Sequence, residues 1–203
     1  MESELGLFPL ALVLLPGERV PLHIFEPRYR ELIGECLEAD RAFGLILADE
    51  EGLRDVGTLT NVVEVLEELP DGRMNVVVEG SDRFRVLGLT SGRSFQTAHV
   101  EPLEDVGDPP RPEDSERAMR LFQALRELVE AEVNDPDPDS ETLSFQLAAR
   151  VDFGIPAKQE LLGLRSERQR LALTSRLLEG AILSVRAQRE RRELSARNGR
   201  PPG

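Results

Sequence analysis

Residues that could carry out chemistry are few in this sequence, and Lys158 is its only lysine. A lysine can hold nucleotide phosphates when it closes a G-x-x-x-x-G-K-[ST] loop, whose backbone amides and ammonium group bind the phosphate oxygens. No glycine-rich segment precedes Lys158, so it does not belong to such a loop. A lysine can also activate a serine nucleophile, but the two must then meet in a pocket that no motif here predicts. We therefore expect a protein that is not an enzyme and that needs no cofactor.

Candidate metal ligands are equally sparse. A zinc site needs about four ligands, commonly cysteine and histidine, or three ligands and a water. Cys36, His23 and His99 are widely spaced and form no ligand motif, so we expect no bound metal. The stretch from Asp135 to Asp139 alternates aspartate and proline, but it lacks the glycine and the distal glutamate of a calcium-binding loop. We interpret it as a proline-stiffened connection.

A third set of side chains could bind a protein segment, because arginine and tyrosine combine contact area with hydrogen bonding at binding hot spots. The alternative is that the aromatic members pack in the core while the arginines pair with nearby acids. Aromatic residues make up only 4% of the chain, which favours packing. For the one histidine in the set, a structural role is favoured over a surface contact. The candidate binding residues are His23, Phe25, Arg28, Tyr29, Arg83 and Phe84.

The overall composition is that of a soluble folded protein. Of the 203 residues, 40% are hydrophobic and 31% are charged, so wholesale disorder is not expected. The formal net charge of −13 argues against nucleic acid as a partner, because binding a polyanion usually needs a basic face. The acidic N-terminus is followed by an apolar run from Leu7 to Leu15 that is too short to span a bilayer. We expect a cytoplasmic protein with no membrane segment.

The first half of the chain alternates short apolar runs with turn residues, which predicts strands at residues 10–14, 19–25, 43–47, 57–69, 74–79, 84–89 and 95–100. Pro21 places the second strand at an edge, and Pro70-Asp71-Gly72 predicts a hairpin turn. Pro27 starts a helix, since proline suits the first helical position. The apolar stripe of that helix is Tyr29, Leu32, Ile33, Cys36 and Leu37. Six or seven strands with one covering helix indicate a small, partly closed barrel and an α+β fold.

The second half of the chain has helical periodicity, with helices predicted at residues 118–129, 140–151 and 156–164. Ser140 is a plausible cap for the second of these, and Ser166 and Gln169 have the capping-box spacing of a long final helix. The sequence from Arg186 onward is basic, which suits a solvated helix end or an acidic partner.

The prolines, glycines and acids of the middle segment predict a division into three parts. These are a barrel subdomain over residues 1–105, a linker over 106–114, and a helical subdomain with a basic tail over 115–203.

Several motifs carry a family resemblance. They are LFPL at residues 7–10, LLPG at 14–17, VPLHIFEPRY at 20–29, VEGSDRF at 78–84, IPAKQELL at 155–162 and ERQRL at 167–171. In these motifs the chain resembles the amino-terminal, substrate-recognition domain of the Lon protease family. The opening block is fairly specific because it fixes several prolines and glycines at set spacings, whereas the helical block alone would be weak.

The resemblance implies a PUA-like barrel joined to a helical bundle. It also implies recognition of unfolded or damaged protein segments, in concert with a protease or chaperone. The full protease also needs a phosphate loop, which is missing here, and a lysine-activated serine, for which Lys158 is the sole candidate. We therefore expect a free-standing, non-catalytic binding module that acts as an adaptor, a holdase or a competitor of the full protease.

The binding surface of such a module could be a groove near the barrel–bundle junction, an exposed strand edge or an apolar patch. Two alternative functions are open. One is a nucleotide-independent peptidase. The other is RNA binding by a PUA-like barrel, which the acidic balance and the scarce aromatic residues disfavour. The oligomeric state is also open.

Overall fold

A computed structural model describes residues 3–198 of the chain. Its strands are β1 (Ser3–Leu10), β2 (Arg19–Ile24), β3 (Phe43–Asp49), β4 (Gly52–Glu68), β5 (Met74–Thr90) and β6 (Thr97–Pro102). Its helices are α1 (Pro27–Ala39), α2 (Pro112–Val129), α3 (Leu143–Ala148), α4 (Ile155–Gly163) and α5 (Glu167–Asn198). The strands precede all but one of the helices, which confirms the predicted α+β fold.

Five strands close into a barrel. The sheet order is β2-β5-β4-β3-β1-β6, and β6 also pairs with β5, so that β1, β3, β4, β5 and β6 form a ring. The β1–β3 pairing is parallel and the other pairings are antiparallel. Closure satisfies the backbone groups that an open sheet would leave at its edges.

A three-stranded arm extends from this barrel. It consists of β2, residues 74–79 of β5 and residues 61–68 of β4, with β5 in the middle. Both β4 and β5 are 17 residues long, and only part of each belongs to the closed ring. The turn at Pro70-Asp71-Gly72 joins them, as expected, with Leu69 and Arg73 hydrogen-bonded across it. Pro21 lies in β2 at the outside of the sheet, which confirms its predicted edge position.

Two strand predictions were wrong. The first strand is β1, earlier than the predicted residues 10–14, because Leu7 to Leu10 pair with β3 and Ser3 to Gly6 pair with β6. The predicted strands at 74–79 and 84–89 are one strand, β5, which continues through Gly80. A side chain at Gly80 would place its Cβ 2.5 Å from the carbonyl oxygen of Leu15, so the glycine allows close packing and does not mark a turn.

Helix α1 covers one end of the sheet, as predicted. It begins at Pro27 and buries Tyr29, Leu32, Ile33 and Cys36 in a core that also contains strand residues such as Val76 and Val78. Leu37 is exposed, so its predicted place on the buried stripe was wrong.

The helical part packs α2 and α3 against the long helix α5. Ser166 caps α5, since its Oγ accepts a hydrogen bond from the backbone N–H of Gln169 at 3.2 Å. The helix predicted over 140–151 is shorter than expected: α3 begins after Thr142 and ends at Ala148. Ser140 precedes it, and its Oγ accepts a hydrogen bond from the backbone N–H of Thr142.

The segment between barrel and bundle is held at both ends. Strand β6 ends at Pro102 and α2 begins at Pro112, three residues before the predicted start of the helical part. Between them, the backbone N–H of Val106 donates to the carbonyl of Arg165 at 2.8 Å. Asp108 forms an ion pair with Arg168 at 2.7 Å. The three-part division at 105 and 114 stays a prediction.

Candidate functional site

The outer face of the arm carries an open groove of about 530 Å³. The groove, which we call the arm groove, is lined by Pro21, Leu22, His23, Leu66, Glu67 and Asn75. Alternate residues of a strand point to opposite faces of a sheet. In β5 the inward residues Val76 and Val78 are buried beneath α1, whereas Asn75 and Val77 lie on the outer face. The arm therefore has a core side and a second side that faces solvent.

Two large apolar side chains are exposed beside this groove. Phe25, directly after β2, is 58% exposed, and Leu66 is 53% exposed. The ring of Phe25 stacks on that of His23, with centroids 5.8 Å apart and planes 19° from parallel. Leu66 is an extra residue at a bulge in the β4–β5 pairing. Exposed apolar groups gathered around a groove are typical of a surface that binds another molecule.

A row of hydrogen bonds crosses the arm at the groove. Asn75 Oδ1 and His23 Nδ1 are 2.7 Å apart, and Asn75 Nδ2 donates to Glu67 Oε2 at 2.9 Å. An ionised carboxylate only accepts hydrogen bonds, so the amide nitrogen of Asn75 must face Glu67 and its oxygen must face His23. His23 Nδ1 is then the donor. In the neutral ring, Nε2 is left as an acceptor, and it has no hydrogen-bond partner among residues 3–198.

Arg28 and Tyr29 lie next to this surface in the sequence, but they differ in exposure. Tyr29 is buried and stacks on Phe8, with ring centroids 4.1 Å apart, and burial is the main cause that raises its pKa. Arg28 is exposed; it covers the ring of Tyr29 at 4.5 Å and forms an ion pair with Glu26 at 2.7 Å. Of these two residues, only Arg28 has a side chain at the surface.

The two free edges of the arm are poor templates for an added strand. Residues 61–68 of β4 pair on one side only among the described strands, and that pairing is interrupted by bulges after Val62 and Val65. Glu64, Glu67 and Glu68 add charge along the same edge. The β2 edge is six residues long and contains a proline. Bulges, charges and proline all discourage strand addition, so the face of the arm is a better candidate for a binding surface than its edges are.

Arg83 and Phe84 lie at a different place, the junction of barrel and bundle. They line a cavity of about 620 Å³ together with Leu103, Phe145 and Arg170. Phe84 is only 1% exposed and packs with barrel residues such as Leu7. The guanidinium of Arg83 donates to the carbonyls of Leu162 and Leu164 and also binds Asp105. The structure thus separates these two residues from the arm groove and places them in internal packing.

Asp105 connects the barrel arginine to a buried charged cluster in the bundle. Arg170 has a fully buried side chain and donates to both Asp105 and Glu167. Burial alone would raise the pKa of Asp105, but hydrogen bonds and positive charge from Arg170 and Arg83 lower it overall. Burial raises the pKa of Glu167, although hydrogen bonds from Ser144 and the charge of Arg170 oppose that shift. The cluster joins the two halves of the chain.

Lys158 is also engaged in a contact between the two halves. Its Nζ lies 2.5 Å from Glu18 Oε1, and both side chains are mostly buried. The other carboxylate oxygen of Glu18 accepts a hydrogen bond from the backbone N–H of Leu15. The only lysine therefore ties α4 to the loop that precedes β2.

Residues 3–198 contain no group of three or more histidine, cysteine, aspartate or glutamate side chains that could hold a metal ion. None of the helices in that range has both the length and the apolarity needed to cross a bilayer.

The arm groove contains residues that sequence reasoning missed. Leu66, Glu67 and Asn75 complete the surface around His23 and Phe25, yet none of them stands out in the sequence. The available signal is in β4, where an apolar–acidic alternation is broken at Leu66-Glu67-Glu68 just before the hairpin turn. A break of that kind indicates an irregular strand whose side chains cannot all face the core.

Comparison with known proteins places most of the chain in one family. The family model of the ATP-dependent protease La (LON) substrate-binding domain matches residues 4–180. Among curated proteins, Lon protease 1 of Hydrogenovibrio crunogenus is 28% identical to this chain, and the match covers 90% of this chain. Lon protease of Brucella suis is 26% identical to this chain, and the match covers 88% of this chain. The chain spans about a quarter of these relatives, since the match covers 24% of each.

Solved structures agree with this assignment. A Lon N-terminal domain protein from Xanthomonas campestris is 26% identical, with a TM-score of 0.67, and the match covers 84% of this chain and 95% of that one. The N-terminal domain of a Mycobacterium avium complex Lon protease, 16% identical, shares the fold with a TM-score of 0.66; the match covers 87% of this chain and 98% of that one. The family model covers far more than half of the sequence, and this chain belongs to the LON substrate-binding domain family.

Proposed function

We propose that this chain recognises unfolded or damaged protein segments and holds them on the arm groove, without nucleotide and without cleaving them. The observation that carries the proposal is the exposure of Leu66, which lines the arm groove, and of Phe25, whose ring stacks on the groove residue His23. Unfolded proteins differ from folded ones chiefly in the apolar side chains that they expose. A surface with its own apolar anchors can therefore bind them without reading a particular sequence.

The expected affinity follows from the size of the surface. Complete burial of one exposed large apolar side chain is worth about 1.5–3 kcal/mol. Phe25 and Leu66 are already about half covered, so a client that covers both gains about 1.5–3 kcal/mol from these anchors and a similar amount from its own apolar side chains. Ordering a flexible client segment costs part of this gain. A single segment should thus bind in the high micromolar to millimolar range, and a client with several such segments should bind more tightly.

The cellular role that we propose is that of an adaptor or holdase. Reversible binding of exposed apolar segments would keep damaged proteins from aggregating and could present them to a protease or chaperone. The proposal rests on family membership together with the arm groove. The participation of a protease or chaperone and the cytoplasmic location stay predictions.

The test is a titration of fluorescently labelled, chemically unfolded client proteins with the full chain, followed by anisotropy. The Phe25→Ala/Leu66→Ala variant should weaken binding by about tenfold, because truncating two anchors costs on the order of 1–2 kcal/mol. The matched control is Leu183→Ala/Leu194→Ala, which removes leucines that are 66% and 59% exposed on α5. The control should bind like the parent protein. Equal loss in both variants, or no binding to any of several clients, would refute the proposal.

A further inference from the structure

We infer that the arm groove selects apolar segments that carry lysine or arginine beside their apolar residues, in preference to segments flanked by acids. This inference rests on the proposed function and narrows it to a class of client. It comes from the charges and the hydrogen-bonding groups that surround the two apolar anchors.

The charges on the outer face of the arm are mostly negative. Glu64 lies opposite Val77 and Glu67 lies opposite Asn75, so both acids share the face of the groove. Neither has a cationic partner within residues 3–198. Arg19 and Glu79, the next pair along the strands, form an ion pair in which the two charges cancel. The two unpaired acids therefore set the sign of the field at the groove.

Nearby arginines do not reverse this balance. Arg28 forms an ion pair with Glu26 at 2.7 Å, and Arg73 forms one with Asp71 at 2.8 Å. These two cations are thus each matched by an acid of their own, whereas Arg30 of α1 donates to the backbone carbonyl of Asp71 at the hairpin turn, beyond the end of the groove-lining strands. A client that brings a positive charge meets Glu64 and Glu67 without displacing an existing partner.

The hydrogen-bonding groups at the groove also favour a donor. The carboxylate of Glu67 can only accept hydrogen bonds, and the row through Asn75 leaves His23 Nε2 as an acceptor in the neutral ring. Lysine and arginine side chains only donate, whereas aspartate and glutamate only accept. The only donor in this row that is not used within it is the second amide proton of Asn75. A basic client residue satisfies these acceptors, and an acidic one does not.

The stacked rings of His23 and Phe25 provide a further contact for a cation. A guanidinium or ammonium group is attracted to the face of an aromatic ring, and arginine makes this contact most often. Phe25 is exposed, so its outer face is open to a client. The same surface can therefore bind an apolar side chain of a client together with a basic side chain one or two residues away in the client sequence.

The experiment uses three labelled peptides with one apolar core, flanked at both ends by two lysines, two glutamines or two glutamates. Anisotropy titration against the full chain at low salt should give a dissociation constant about tenfold lower for the lysine peptide than for the glutamate peptide. The ratio should fall to about two- or threefold at high salt, because exposed charges are screened within a few ångströms there.

Two matched variants locate the effect. Glu64→Gln/Glu67→Gln should reduce the lysine-to-glutamate preference to about twofold. Glu132→Gln/Glu160→Gln removes two exposed acids from the helical part, so it changes the net charge equally, and it should leave the preference unchanged. A preference that drops equally in both variants would assign the effect to net charge and overturn the inference.

The remaining outcomes separate this inference from the proposed function. If unfolded clients bind but the three peptides bind equally well, the charge preference is wrong and the proposed function survives. If neither clients nor peptides bind, both fail.

Discussion

Asp105 and Arg170 form a two-pronged contact in which the guanidinium donates from Nη1 to Oδ1 at 2.7 Å and from Nη2 to Oδ2 at 2.5 Å. Asp105 follows the last barrel strand, whereas Arg170 lies in the first turns of α5 with its side chain fully buried. The same carboxylate also binds Arg83 of β5. One aspartate therefore holds two largely buried cations from opposite sides of the barrel–bundle junction.

Replacing Asp105 with asparagine should destabilise the fold. The substitution keeps the size of the side chain but leaves Arg83 and Arg170 without their shared negative charge, and removing one partner from a buried pair is strongly unfavourable. Because Asp105 itself is partly exposed, we expect a loss of about 2–4 kcal/mol in the free energy of unfolding. This loss can be measured by urea unfolding, monitored by circular dichroism. Asp139→Asn, at an exposed acid in no ion pair of the described chain, is the control and should change stability by less than about 0.5 kcal/mol.

The stability difference between the parent protein and Asp105→Asn should depend on pH. The neighbouring arginines hold the pKa of Asp105 below its ordinary value of 3.8, so its contribution is fully present above that value. It is lost as the pH falls through the lower pKa of the folded state. The difference should thus be constant from pH 7 to about pH 5 and shrink at lower pH.

The contribution of Glu167 to stability has the opposite dependence on pH, because the pKa of Glu167 is raised in the folded protein. Its contribution is present at low pH and is lost as the pH rises through the folded-state pKa. Both proteins contain Glu167, so this contribution largely cancels in the difference. A difference that grew on acidification would contradict the assignment of the shift to Asp105.

Periodicity predicted the architecture well where local pattern and tertiary burial agree. Helix α1 begins at Pro27, as its sequence indicates, and Ser166 caps α5. The first strand was predicted at residues 10–14 because the sequence there is apolar. Val13, Leu14 and Leu15 are apolar because they are buried, and they do not belong to a strand. They form a buried irregular segment whose backbone is satisfied by side chains: Thr58 Oγ1 donates to the carbonyl of Leu14, and Glu18 accepts from the N–H of Leu15.

The candidate site could be predicted only in part. His23, Phe25 and Arg28 reach the surface of the arm, and Tyr29 packs in the core beneath. Arg83 contacts carbonyls 79 and 81 residues away in sequence, and no local pattern reveals partners at that distance. For the same reason, the sequence did not show that residues near 66 and 75 would meet His23.

Gly57 should not tolerate even a methyl group. A Cβ there would lie 2.6 Å from the carbonyl oxygen of Leu45 and 2.6 Å from the buried ring of Phe84. Gly57→Ala should therefore lower the free energy of unfolding by about 2–3 kcal/mol through overpacking. Gly34, inside α1, has open space at the corresponding position, and Gly34→Ala should raise stability by up to about 1 kcal/mol. Thermal unfolding of the two variants should give shifts of opposite sign; shifts of the same sign would contradict the packing described for Phe84.

Cys36 should be unreactive in the folded protein. Burial and, to a smaller extent, the charge of Glu35 raise the pKa of its thiol to about 11, against the ordinary 9.0. Only the thiolate reacts with disulfide reagents, so a shift of two pH units lowers its population about a hundredfold at neutral pH. Titration with a chromogenic disulfide should show slow reaction of the native protein and rapid reaction in urea. Equal rates in both states would place the thiol at the surface.

Recognition of a client at the arm groove can be followed by NMR through the two histidine side chains. The chain contains only His23 and His99, and both are exposed, so each is the other's control. His23 lines the arm groove, whereas His99 lies on β6 of the closed barrel. Titration with the lysine-flanked apolar peptide should shift the imidazole signals of His23 in a saturable way and leave those of His99 unchanged. Binding that leaves His23 unaffected, or that shifts His99 instead, would contradict recognition at the arm groove.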